Sequence, residues 1–182
     1  MRFSFRGPRP EPEAPVPPEH GHEHDHPAWC TCSSAEEDRR RIEEHGWLVV
    51  TVPAEDEEPW DFHYTAGLTA KDLPELVVYG LPAEVAGAVL NDLASALVGG
   101  ATIVDGQPLV ELLEGPFHPQ LRTAVRRRAP LGVAEEQYGD QVRVRQLVLP
   151  DRENRMPWDP DFDESFSQPV LYAWAPVPPP GR

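Results

Sequence analysis

The chain has 182 residues and a formal net charge of −15, with a sequence pI near 4.8. So acidic a surface repels phosphate backbones, which argues against nucleic acid as a partner. No apolar run reaches the roughly 18 residues of a membrane helix, and the start MRFSFRGPRP lacks an apolar leader core and a small-residue cleavage site, so a cytoplasmic protein with no membrane partner is expected.

Hydrophobic residues make up 40% of the chain, and the shortfall sits at its ends. Prolines crowd GPRPEPEAPVPPEH (7–20) and APVPPPGR (175–182). Such stretches bury too little apolar surface to offset their ordering entropy, so disorder or polyproline conformation is expected, and docking of a protein partner is a role they suit. The expected division is a Pro/His-rich tail over 1–29, a single domain over 30–172 and a Pro-rich tail over 173–182. A domain of that length can close one hydrophobic core.

Within the first tail, HGHEHDHPAWCTC places His20, His22, His24 and His26 just before Cys30 and Cys32. Imidazole and thiolate are ligands that zinc, nickel and copper prefer. The expected metal ligands are His22, His24, His26, Cys30 and Cys32. Binding needs neutral imidazoles and deprotonated thiols, so it should fail below about pH 6. Two cysteines make no disulfide framework, and a bridge from i to i+2 closes a strained ring, so reduced or metal-bound thiols are expected. The alternative is a polar tail with a biased alphabet.

The next element is a helix over Ala35–His45. Ser34 with Glu37, or Ser33 with Glu36, fits a capping box. Glu36/Arg40 and Glu37/Arg41 are favourable i,i+4 pairs, and Gly46 suits a left-handed stop. WLVVTV (47–52) reads as a strand, PAEDEEPW as an acidic loop and DFHYTAGL (61–68) as a second strand. Its alternation puts Phe62, Tyr64, Ala66 and Leu68 on one face and His63, Thr65 and Gly67 on the other. ELVVYG (75–80) is a third, more buried strand.

LPAEVAGAVLNDLASALVGG is the clearest helix: Pro82 suits its first turn, and Gly99 and Gly100 end it. Val85, Val89, Leu93 and Leu97 form its stripe, with Ala86 and Leu90 beside them. Asp105-Gly106 between apolar runs signals a hairpin, and Pro108 an edge. LRTAVRRR alternates as a strand, although alanine and arginine also suit a helix; Arg126–Arg128 read as its solvated end. A short helix over Leu131–Tyr138 follows. QVRVRQLVLP then forms a strand with Val142, Val144 and Gln146 on one face, Arg143, Arg145 and Leu147 on the other, and a second half buried on both sides. PDRENRMPWDPDF is a long loop and QPVLY a last extended piece. The order predicts an α+β fold: a largely antiparallel sheet with one main amphipathic helix packed across it, plus disordered Pro-rich ends.

Several fragments in this order resemble the bacterial family catalogued as domain of unknown function 4262. They are HGW (45–47), YTAGL (64–68), PELVVYGLP (74–82), LND (90–92), QLVLPD (146–151), PW (157–158) and QP (168–169). The resemblance spans Cys30 to Leu171. It implies a bacterial source and these domain limits, and no reaction. Members often carry a close cysteine pair before the first helix, which Cys30 and Cys32 match. Many have His before the PEL element, where this chain has Leu73.

Four side chains are candidates for catalysis. His63 could serve as general base or ligand, with Tyr64 beside it; Asn91 could face a pocket from its helix, where Asp92 faces solvent; Asp151 opens the long loop. In that loop Arg152, Trp158 and Asp159 are candidate ligand-binding residues, with Arg155 close by, since an aromatic beside charged groups can hold a polar ligand. No GxxxxGK, GxGxxG, HExxH or GxSxG occurs, which disfavours standard nucleotide and hydrolase chemistries. The leading expectation is a non-enzymatic binding or accessory protein with a metal-binding His/Cys segment. The rival is a small enzyme or cofactor-binding domain with a pocket between HYTAGL and PDRENRMPW.

Overall fold

The computed structural model describes residues 35–54, 60–125 and 131–172. The His20–Cys32 segment, both proline-rich ends, the capping residues Ser33 and Ser34, most of the acidic loop (55–59) and Arg126–Arg128 lie outside the described residues.

Five strands form one sheet in the order β1-β2-β3-β5-β4: β1 Leu48–Val52, β2 Phe62–Ala66, β3 Glu75–Tyr79, β4 Gln120–Thr123 and β5 Val144–Val148. The helices are α1 Ala35–His45, α2 Ala83–Val98 and α3 Gly132–Tyr138. Neighbouring strands run antiparallel except β3 and β5, where Glu75 pairs with Val144 in parallel. That parallel pair arises because the chain leaves the sheet after β3 through α2 and re-enters through β4 and α3 before β5. The α+β expectation holds. No helix among the described residues is long and apolar enough to cross a membrane.

The central strands are buried on both faces, and strand alternation divides the core into two layers. One layer joins Phe62, Tyr64, Ala66, Val77, Tyr79 and Val144 to Ile42 of α1 and Ala134 of α3. The other joins Leu76, Val78, Leu121 and Leu147 to Ala86, Val89, Leu90, Leu93, Ala94 and Leu97 of α2. Each fully buried Leu or Val contributes roughly 1.5–3 kcal/mol, so the α2 stripe is a main source of stability.

Gly46 ends α1 at φ 89°, with its N–H on Ile42 O at 2.7 Å, and Arg41 pairs with Glu37 at 3.0 Å, as expected. Other expectations change. Val85 is 40% exposed; the α2 stripe is centred on Ala86, Leu90 and Ala94 instead. Leu68 joins the α2 layer, not the Phe62 face, because Gly67 at φ 127° breaks the strand and swings the chain into a short 3-10 turn, Leu68–Lys71.

Asp105-Gly106 forms a turn but joins no hairpin strands; residues 101–119 are irregular apart from a single bridge between Pro108 and Gln120. The turn caps the outer edge of β4 instead. Gly106 N–H donates to Leu121 O at 3.0 Å, and Thr123 donates both its N–H (2.5 Å) and its hydroxyl (2.8 Å) to Asp105 Oδ1. Edge groups that would template aggregation are thus occupied. QPVLY forms no strand but is held by a single antiparallel bridge, Ala124–Tyr172, by Val125 N–H donating to Leu171 O (2.6 Å), and by the buried Gln146 amide, which donates to Pro169 O (2.7 Å) and accepts from Leu171 N (2.9 Å).

Candidate functional site

Where two parallel strands end side by side, their chains leave in the same direction and open a crevice. Here Tyr79 ends β3 and Gly80 and Leu81 follow it, and Leu149 and Pro150 follow β5; all five line a cleft of about 370 Å³. Trp60, Leu113, Phe117 and residues 165–168 complete the walls. Gln168 fixes the last of these walls, because its amide donates to Leu149 O (2.9 Å) and accepts from Leu149 N (3.1 Å). Asp163 caps the following turn by accepting Ser165 N–H at 3.0 Å, which places Phe166. The volume suits a small ligand, and the walls combine aromatic rings with the polar Ser165, Ser167 and Gln168.

The residues singled out from sequence occupy separate places. His63 is 1% exposed. Its Nε2 lies 3.0 Å from Leu81 O, which can only accept, so Nε2 donates; Nδ1, 3.0 Å from Thr51 Oγ1, then accepts the Thr51 hydroxyl. The imidazole therefore backs the Leu81 wall of the cleft. Tyr64 faces the opposite layer. Its hydroxyl accepts Val133 N–H at 3.1 Å, satisfying an orphan donor in the first turn of α3, and burial raises the phenol above its ordinary pKa. Asn91 accepts Trp47 Nε1–H at 2.9 Å and ties α2 to the start of β1; Asp92 is exposed.

Asp151 is fully buried. One oxygen accepts Glu153 N–H (3.0 Å) and Arg155 N–H (2.8 Å); the other accepts Arg155 Nε–H (2.7 Å) and Asp163 N–H (3.1 Å). Burial opposes the charge, but the bonds from Arg155 and Asp163 outweigh it and hold the carboxyl below the usual carboxylate range. Arg152 stands over the Phe166 ring at 5.5 Å. Asp159 accepts Met156 N–H at 2.7 Å. Trp158 meets Tyr172 edge-on at 5.7 Å and lies under the Arg122 guanidinium at 5.0 Å. Asp151, Arg152 and Asp159 thus share one loop, while His63, Tyr64 and Asn91 lie on other elements. Of the two segments expected to frame a pocket, HYTAGL lines none of the cleft and PDRENRMPW contributes Pro150. The expected metal ligands His22, His24, His26, Cys30 and Cys32 lie outside the described residues. Among the described residues, no cluster of His, Cys, Asp or Glu is placed to hold a metal ion.

Sequence reasoning missed Glu75, Trp60 and Phe166. Glu75 is fully buried, and its oxygens accept Thr65 Oγ1–H (2.7 Å), Gly67 N–H (3.1 Å), Thr69 N–H (2.8 Å) and Thr69 Oγ1–H (2.8 Å). An acid opening the apolar run ELVVY was the available signal. The YTAGL and PELVVYG fragments are therefore architectural: Tyr64 caps a helix, Thr65 and Glu75 bond across strands, and Gly67 permits the turn.

The fold and the cleft define an α+β domain with an aromatic crevice at its parallel strand ends. The family model of a domain of unknown function (DUF4262) matches residues 41–163, and the chain belongs to that family. The match runs from α1 to Asp163, so the cleft wall at 165–168 lies beyond it. No curated protein and no solved structure matches the chain.

Proposed function

We propose that this chain is a non-enzymatic binding or accessory protein of the bacterial cytoplasm, whose domain takes a small apolar or aromatic ligand in the cleft between the ends of β3 and β5. The cleft itself carries this reading: its volume and ring-lined walls suit burial of a ligand, and the described residues that line it are uncharged. The candidate catalytic groups are committed elsewhere. His63 is bonded at both nitrogens, Tyr64 caps α3 and Asp151 organises its own loop. The Thr51–His63 contact pairs a hydroxyl with an imidazole, but it is a directly opposed cross-strand pair and neither residue lines the cleft. A screen of small aromatic compounds by thermal shift, run on the full chain and on Ser167→Trp, tests the reading. Compounds that raise Tm only in the parent chain support it. Compounds that stabilise both equally bind elsewhere and count against it.

The ligand content of His20–Cys32 favours a second, separate binding role for zinc, nickel or copper. Metal content of the full chain beside a chain lacking residues 1–28 tests it. Metal that persists in the shortened chain would move the site away from the histidines.

A further inference from the structure

We propose that the cleft ligand carries an anionic group, with its apolar part against Phe166 and Trp60 and its anion on Arg152. This deepens the ligand-site reading above and rests on it. Among the described residues the cleft walls hold no charged side chain, so the charge of a bound molecule must be met outside that lining. Arg152 does not line the cleft itself but holds its guanidinium 5.5 Å from the Phe166 ring, which does, and it follows directly on the lining residue Pro150 and on Asp151.

Its backbone is fixed from both sides. The preceding Asp151 is fully buried, and the same carboxylate accepts the N–H of the following Glu153. That carboxylate also accepts Asp163 N–H at 3.1 Å, which ties the Arg152 turn to the segment bearing Phe166. Four neighbouring acids are engaged: Asp151 and Glu153 pair with Arg155 at 2.7 and 2.8 Å, Asp159 accepts Met156 N–H, and Asp163 accepts Ser165 N–H. Arg152 is exposed and makes no ion pair with any described residue. In a chain of net charge −15, that leaves a cation available to a carboxylate. A guanidinium stacked on a ring keeps its N–H fork free for bidentate recognition of one.

The test is calorimetric titration of the full chain with three probes that share a ring: indole-3-acetate, indole and tryptamine. Indole-3-acetate should bind about threefold to fivefold more tightly than indole, the range of an exposed ion pair, and tryptamine no more tightly than indole. Arg152→Gln should erase the advantage of the acetate and leave indole unchanged, while Phe166→Ala should weaken all three. Equal affinities, a preference for tryptamine, or an acetate preference that survives Arg152→Gln overturns the anion assignment and leaves the cleft reading standing. No binding of any probe, or binding unchanged in Ser167→Trp, overturns both.

Discussion

The Thr65 hydroxyl donates to the Glu75 carboxylate at 2.7 Å while accepting Leu76 N–H at 2.8 Å, so one threonine links a buried acid to the strand that follows it. The other Glu75 oxygen takes the donors of Gly67 and Thr69. Every partner of this carboxylate is a donor, a pattern that suits an acceptor-only group. Glu75→Gln turns one acceptor into a donor facing donors. It should destabilise the domain by about 1–3 kcal/mol, read as a lower urea midpoint with an unchanged slope. An unchanged midpoint would mean the network is dispensable.

Gly67 sits where β2 meets the turn out of α1. A Cβ there would lie 2.8 Å from Trp47 Cα and 2.9 Å from Gly46 O, both backbone, and φ is 127°. Neither obstacle can rotate away. Gly67→Ala should therefore cost about 3 kcal/mol or more, or roughly 6–12 °C in Tm for a domain of this size. Gly80→Ala also has positive φ, at 73°, but meets nothing within 4 Å; its loss should be clearly smaller, about 1 kcal/mol. Equal losses in the two variants would refute the steric argument.

Asp151 gives the acid dependence a sign. Its carboxyl is depressed in the folded state relative to the ordinary 3.8, because the bonds from Arg155 and Asp163 outweigh burial. A depressed acid contributes stability above its unfolded pKa and loses it as pH falls through the folded value, so the loss begins below about pH 4. Asp151→Asn should lower stability near pH 7 and flatten the acid limb, measured as urea midpoints across that range. A parallel downward shift at all pH values would assign the acid limb to other carboxylates.

The parts of the fold that were legible in sequence are those where local chemistry and tertiary packing agree. The bounds of α1 and the bodies of β2, β3, α2 and β5 follow from caps, glycine stops and periodicity. The Asp105-Gly106 hairpin did not form because the turn satisfies the edge of β4 rather than joining two strands, a long-range choice that a local dipeptide does not encode. The cleft was less legible still. Trp60, Phe117 and Phe166 stand far apart in the chain and line one cleft at the ends of the parallel pair β3 and β5; a largely antiparallel sheet was legible, but which pair would run parallel was not. Arg152 was singled out in sequence as one of several charged groups beside an aromatic in a long loop; its place over Phe166 was not legible there.

Asp105 offers a test of how the β4 edge is protected. Besides accepting Thr123 N–H and hydroxyl, its carboxylate lies 3.5 Å from Arg122 Nε and 3.9 Å from Arg145 Nη2. Both arginine side chains are nearly buried, at 11% and 12% exposure, and burial lowers the pKa of Arg145 while Asp105 acts against that. Asp105→Ala would leave two guanidiniums without this counter-charge and the outward N–H of Thr123 without its acceptor. Two effects should follow: a loss of about 2–4 kcal/mol, and association that grows with protein concentration as the edge becomes available. Asp105→Asn keeps an acceptor for Thr123 and removes the charge, so it should lose stability yet remain monodisperse as far as the parent chain does. Light scattering after size exclusion, run beside urea unfolding, separates the two effects. If both variants associate equally, counter-charge rather than edge capping holds the edge apart; if neither loses stability, the Arg122 and Arg145 contacts to Asp105 contribute nothing.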